Sequence, residues 1–228
     1  RLLARFKGTI VYAHAVCDVQ RCEEHPDWAY QKNIRNLEGI VQAHHPEARF
    51  IYLSSDHAFG EDGVYDEDSD PCPLSSYARS RIQAERIALA IPGSLVVRVP
   101  LSIGPSVTGR VGHLDWIRYR HDKGLPITII EDEARSAISA AAVADRIIAL
   151  CDSDITGLRH IAATRSVLRT ELADAVFAYH GIPPTYNLAT RCQQPAPHLG
   201  RITIATRHTG PLADPLPSAV DILPTAHP

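Results

Sequence analysis

The sequence predicts an α/β fold built on a doubly wound parallel sheet, and three observations carry that expectation. Strand-like and helix-like stretches alternate from Thr9 to Val99, the order that right-handed crossovers turn into a parallel sheet. The strand-like runs are apolar along their length instead of alternating, as in strands covered on both faces. The chain has 228 residues, 45% hydrophobic and 21% charged, enough for one substantial core and a small appended lobe.

Each element follows from its own pattern. Thr9-Ile10-Val11-Tyr12-Ala13-His14-Ala15-Val16 is a β-branched and apolar run and reads as the first strand. From Pro26 to His44, residues Trp28, Ile34, Leu37, Ile40 and Val41 recur at three- and four-residue spacing, which predicts one helix with a buried face. Arg49 to Ser55 reads as a second buried strand, Tyr77 to Ala90 as a helix stopped by Pro92-Gly93, and Ser94 to Val99 as a third strand. Beyond Pro100 the pattern predicts a helix over Leu114 to Asp122 and a short strand over Ile127 to Ile130. A helix is then expected over Ala140 to Cys151, a strand over His160 to Ala162, and a helix over Leu168 to Tyr179. The proline-rich tail from Pro183 reads as loop around a strand at Ile202 to Ala205.

Bulk properties exclude several classes. A net charge of -3 argues against a nucleic-acid surface or an anionic-membrane binder. No run approaches the ~18 apolar residues of a membrane span, and the start lacks the series of a secretory signal. Five cysteines, odd in number and irregularly spaced at 17, 22, 72, 151 and 192, argue against a disulfide framework and for a reducing compartment, the cytoplasm. Arg1 is not an initiator residue and the chain contains no Met, so a longer gene product is expected.

Ligands in such sheets sit at the carboxyl ends of the strands. Ser54-Ser55-Asp56 ends the second strand, and Tyr77 and Arg81, at i and i+4, share one face of the following helix. A phenol titrates near ~10 in water, and a neighbouring cation is expected to draw it downward toward proton exchange at neutral pH. With a serine hydroxyl at the strand end, this trio suits protonation of a ketone oxygen during reduction by hydride. Weaker patterns stand beside it. His14, Cys17, Cys22 and His25 match zinc-ligand spacing poorly, so no metal is expected. Gly104 to Val111 lacks the lysine and hydroxyl of a phosphate loop and reads as a plain loop. Asp66-Glu67-Asp68-Ser69-Asp70 reads as a solvated acidic loop.

The stretch Tyr52-Leu53-Ser54-Ser55-Asp56-His57-Ala58-Phe59-Gly60, followed by Val64-Tyr65-Asp66-Glu67 and Pro73-Leu74-Ser75-Ser76-Tyr77-Ala78-Arg79-Ser80-Arg81, resembles the catalytic block of extended short-chain dehydrogenases. It is most similar to that of the dTDP-4-dehydrorhamnose reductase (RmlD-like) family. His14-Ala15, Cys22-Glu23, Ala29 with Asn33, Val97-Arg98, Arg135, Gly157 to His160 and Arg169 to Leu172 extend the resemblance over nearly the whole chain. It implies a Rossmann-like doubly wound parallel sheet over 1–104 and 136–165, with a small C-terminal substrate-binding lobe formed by 105–135 and 166–228. It further implies Tyr77 as the acid, Ser55 as the carbonyl-polarising hydroxyl and Arg81 as the cation. NADP or NAD would be held by Ala13, His14, Asn33, Ser54, Tyr77 and Arg81, and a sugar-nucleotide substrate by Asp56, Phe59 and Arg135. A homodimer or a partner enzyme is the implied assembly.

Two departures stand out. Arg81 occupies the position of the family's lysine, supplying charge through a larger planar fork. Nothing before Thr9 forms the strand, glycine-rich turn and helix that hold a dinucleotide pyrophosphate. The expected activity is an NAD(P)-dependent reductase of a nucleotide-linked 4-keto-sugar. The alternatives are a non-catalytic nucleotide-binding or regulatory subunit of the same fold, and a sugar-nucleotide epimerase or dehydratase.

Overall fold

A computed structural model describes residues 2–224. The chain begins with β1 (Thr9–Tyr12), α1 (Val19–Glu24), α2 (Pro26–Tyr30) and α3 (Asn36–Ala43). Next come β2 (Arg49–Ser55), β3 (Gly63–Tyr65), α4 (Ser76–Leu89), β4 (Leu95–Val99) and β5 (Leu101–Ile103). They are followed by α5 (Gly112–Asp122), β6 (Thr128–Ile130), β7 (Ala134–Ser139), α6 (Ala140–Cys151), β8 (Gly157–His160) and β9 (Ser166–Leu168). The chain then runs through α7 (Arg169–His180), β10 (Asn187–Ala189), β11 (Ile202–Ile204) and α8 (Ala219–Ile222).

The principal sheet is parallel throughout, in the order β1-β2-β4-β8, with Val11 beside Ile51, Ile51 beside Leu95, and Leu95 beside Gly157. Successive residues of β2 point to opposite faces. Phe50 and Tyr52 pack with Ile34 and Leu37 and with Ala84 and Ala88 of α4, whereas Ile51 packs with Val143, Ile147 and Leu150 of α6. Both faces are covered, which is why these strands carry no polar alternation. A second core of Leu101, Ile103, Leu114, Ile129, Val176 and Phe177 joins β5 and β6 to α5 and α7. The mixed sheet β5-β7-β9 and the two-stranded pairs β3-β11 and β6-β10 complete the structure.

Local chemistry fixes the helix ends. The Ser75 hydroxyl accepts from the Ala78 amide at 3.0 Å and starts α4, and Ser139 does the same for α6 through Ala142. Gly181, at φ 66°, ends α7 in the left-handed region.

Several expectations change. The first strand stops at Tyr12, so Ala13 to Asp18 become a loop that rims the sheet. The segment from Val19 forms the short helix α1, with Asp18 accepting from the Arg21 amide at 3.0 Å. The single helix expected from Pro26 is interrupted by a π-helical turn over Gln31–Arg35. The eighth strand is Gly157–His160, ahead of the apolar Ile161-Ala162 that suggested it, because Gly157 to His160 are the residues that pair with β4. The acidic loop is not merely solvated: Glu67 accepts from the His160 and Arg207 amides at 2.8 and 3.0 Å and from the Thr206 hydroxyl at 2.7 Å.

Candidate active site

At the carboxyl ends of β1, β2 and β4 lies a cleft of about 490 Å³. Ala13 and Ala15 come from the loop after β1, Ser54, Ser55 and Asp56 from the end of β2, Tyr77 and Arg81 from α4, and Arg135 from β7. Residues far apart in sequence thus meet because parallel strands deliver all their carboxyl ends to one edge. Through Cys17, His57, His113 and Arg135 the cleft adjoins a second cavity of about 330 Å³, lined also by Glu133, Arg169 and His198. Three of the expected site residues lie off the wall. His14 is exposed beside Tyr12. Phe59 stacks on Tyr65 with 4.2 Å between ring centres, in a separate cluster with Ile82 and Ile202. Asn33 is fully buried behind the loop.

Tyr77 is 6% exposed. Burial pushes its phenol above the ordinary value, although the Arg81 charge and a hydrogen bond with the Ser55 hydroxyl pull the other way. The expected downward shift is therefore reversed: burial outweighs the cation, and the resting phenol is protonated at neutral pH. The His57 ring meets the Tyr77 ring edge-on, with centres 5.1 Å apart. Ser55 donates to Asp56 at 3.2 Å and accepts from the His57 amide at 3.3 Å.

Arg81, 3% exposed, donates from Nη2 to the Leu53 carbonyl, and its guanidinium lies 4.8 Å from the centre of the Tyr52 ring. Its Nε and Nη1 are buried without a partner among the described residues, as are the hydroxyls of Tyr12 and Tyr52. Two buried ion pairs brace this edge. Arg135 forks onto Asp56 at 3.1 and 2.5 Å. Arg98 forks onto Glu85 at 3.0 and 2.8 Å, and Glu85 also accepts from Ser54 at 2.5 Å, so Ser54 lines the cleft while its hydroxyl is committed behind it.

Asn33 holds the loop after β1. It accepts from the Val16 amide at 2.8 Å and donates to the Val16 carbonyl at 3.2 Å and to Ser80 at 2.9 Å. Asn33→Leu is expected to cost about 1–3 kcal/mol, because it strands buried backbone groups. Urea denaturation measures the loss, and faster hydrogen exchange at the Val16 amide locates it.

Sequence reasoning passed over His57, His113, Glu133, Arg169 and His198. A detectable signal existed for three of them: His57 and Arg169 lie in stretches that carried the resemblance, and Glu133 stands two residues from Arg135, where a strand returns a side chain to the same face. Burial and the Arg135 charge bring His57 down to about 4. Burial alone would raise Glu133, but hydrogen bonding to His198 and the charges of Arg169 and Arg135 hold it at about 2. Both folded values lie below the unfolded ones, so the unfolded chain binds protons first on acidification. Stability is expected to fall from pH ~6.5 to about 4 through His57 and from ~4.3 to about 2 through Glu133. Melting temperature against pH checks this: His57→Gln flattens the first stage in part, since His113 is also held low, and leaves the second. Among the described residues no group of three or more His, Cys, Asp or Glu is placed to hold a metal ion, and no helix is long and apolar enough to cross a membrane.

Fold and cleft together define a Rossmann-like α/β domain with a tyrosine, a serine and a buried cation at the carboxyl edge of its sheet. The chain belongs to the RmlD substrate binding domain family, whose model matches residues 1–207. It is 26% identical over 174 residues to the probable low-salt glycan biosynthesis reductase Agl14 of Haloferax volcanii, covering 73% of this chain and 58% of that protein. It is also 26% identical over 192 residues to the dTDP-4-dehydrorhamnose reductase of Mycobacterium tuberculosis, covering 80% of this chain and 62% of the relative. The chain thus spans about six tenths of the length of these relatives. The crystal structure of dTDP-4-dehydrorhamnose reductase from Bacillus anthracis in complex with NADP superposes with a TM-score of 0.81 at 20% identity, over 93% of this chain and 77% of that one.

Proposed function

We propose that the chain carries the catalytic and substrate-binding portion of an NADP- or NAD-dependent reductase acting on a nucleotide-linked 4-keto-sugar. The observation that carries this reading is the meeting in one cleft of a protonated, buried phenol, a strand-end hydroxyl and a buried guanidinium. A nicotinamide cofactor fits this edge: Arg81 has two buried guanidinium nitrogens, Nε and Nη1, without partners among the described residues, and the small side chains of Ala13 and Ala15 line the same cleft. When bound, such a cofactor supplies the hydride. Tyr77 then delivers a proton to the ketone oxygen, Ser55 orients that oxygen, and Arg81 stabilises the phenolate that remains. Arg135, fixed by Asp56, shapes the substrate wall, and the adjoining cavity with Arg169 and His113 takes the nucleotide portion.

The test is oxidation of NADPH or NADH by the full-length protein supplied with dTDP-4-dehydrorhamnose. Steady turnover supports the proposal, and binding of both ligands without turnover defeats it. One observation favours a second reading, a non-catalytic nucleotide-binding subunit: Arg81 is drawn to the Leu53 carbonyl and the Tyr52 ring. Calorimetric titration and the turnover assay together separate the two, since that reading expects cofactor affinity with no consumption.

A further inference from the structure

On the outer side of edge strand β8, away from the cleft, lies a third cavity of about 360 Å³. Arg159, Thr206, Arg207 and His208 bound it over an aliphatic floor that includes Leu150 and Leu212, and among the described residues its lining contains no carboxylate. The walls are built firmly. Arg49 donates to the carbonyls of Cys151 and Ile155 at 3.3 and 2.7 Å, and Arg146 donates to those of Leu212 and Asp214 at 2.6 and 3.0 Å.

Arg159 has no such task. Its one side-chain hydrogen bond among the described residues goes to the carbonyl of the adjacent Leu158 at 2.7 Å. Glu67, the acid whose charge acts on Arg159, is taken up by the His160 and Arg207 amides and the Thr206 hydroxyl. Nε2 of His208 is buried without a partner among the described residues. Arg207 pairs with Asp68 at 2.8 Å, but both side chains are more than half exposed, so the pair is weak and the guanidinium is free to turn. The cavity is therefore rich in donors, poor in acceptors and apolar at its base. Guanidinium forks match the oxygens of a phosphate, and the volume suits a small ligand.

We propose that this cavity binds a small phosphomonoester, its phosphate on Arg159, Arg207 and His208 and its carbon body on the aliphatic floor. The ligand is independent of the reaction in the cleft. Inorganic phosphate and glycerol 3-phosphate are the probes, titrated into the full-length protein while the imidazole resonances of His208 are followed by NMR. The expected result is a saturable shift of those resonances, with glycerol 3-phosphate binding more tightly than phosphate. Arg159→Gln and His208→Gln each weaken binding at least tenfold, Arg159→Lys restores part of it, and Arg169→Gln, in the cleft, leaves it unchanged. Arg159 and His208 are only partly buried, so their variants are expected to fold. An absent or unsaturable response overturns the proposal. So does binding that survives both the Arg159 and His208 replacements, or that disappears only in Arg169→Gln.

Discussion

Tyr77→Phe is expected to lower kcat for keto-sugar reduction by about 10²–10⁴-fold, the usual worth of a positioned proton donor. Cofactor affinity should change far less than kcat, because phenylalanine keeps the ring, with its edge-on contact to His57, and loses only the hydroxyl. The reason lies in burial. A phenol held above its ordinary pKa stays protonated through neutrality and can give its proton to a developing alkoxide. The rate should accordingly be flat across neutral pH. Single-turnover NADPH oxidation against pH, in wild type and variant, checks both points. A Tyr77→Phe protein that reduces the sugar at the wild-type rate removes Tyr77 from the chemistry.

The second large effect concerns stability. Arg98 and Glu85 form an ion pair with side chains only 3% and 4% exposed. Arg98→Leu leaves the Glu85 carboxylate buried without its cation, which costs about 3–5 kcal/mol. Joint replacement of Arg98 and Glu85 by leucines should recover much of that loss, since a buried pair is often replaceable by apolar groups of similar volume. Because Glu85 also accepts from Ser54 at the cleft edge, the double variant is expected to regain stability without regaining full activity. Urea denaturation and the kinetic assay on the same preparations separate the two effects.

What the sequence made legible depended on how each segment signals its surroundings. Strand β2 over Arg49–Ser55 and helix α6 over Ala140–Cys151 have the bounds that apolar runs and flanking residues implied. Strand β7, Ala134–Ser139, was invisible because Arg135 and Ser136 are buried along with its apolar residues, so it shows no period. The collected cleft was legible where a strand end and one helix turn sufficed, as for Ser55, Tyr77 and Arg81. It was illegible where the partner came from a distant segment. Arg135 is carried by the resemblance, but nothing near Asp56 in sequence announces that the two pair, and nothing near Glu133 announces His198. The sign of the Tyr77 shift is not legible in the sequence, because a cation at i+4 is readable from spacing, whereas burial is a property of the packed whole.

The π-helical turn at Gln31–Arg35 has a consequence for how this chain can vary. Such a turn holds one residue more than a regular α-helix would, and Asn33, the tether of the cleft rim, lies at its centre. Deleting a single residue there would remove that surplus and let the segment close as regular α-helix, so that Leu37 and Ile40 keep their places on the sheet while Asn33 is drawn off Val16. Length in this segment is therefore set by the cleft rim more than by the hydrophobic layer, and drift by one codon at this point would be felt first at the rim.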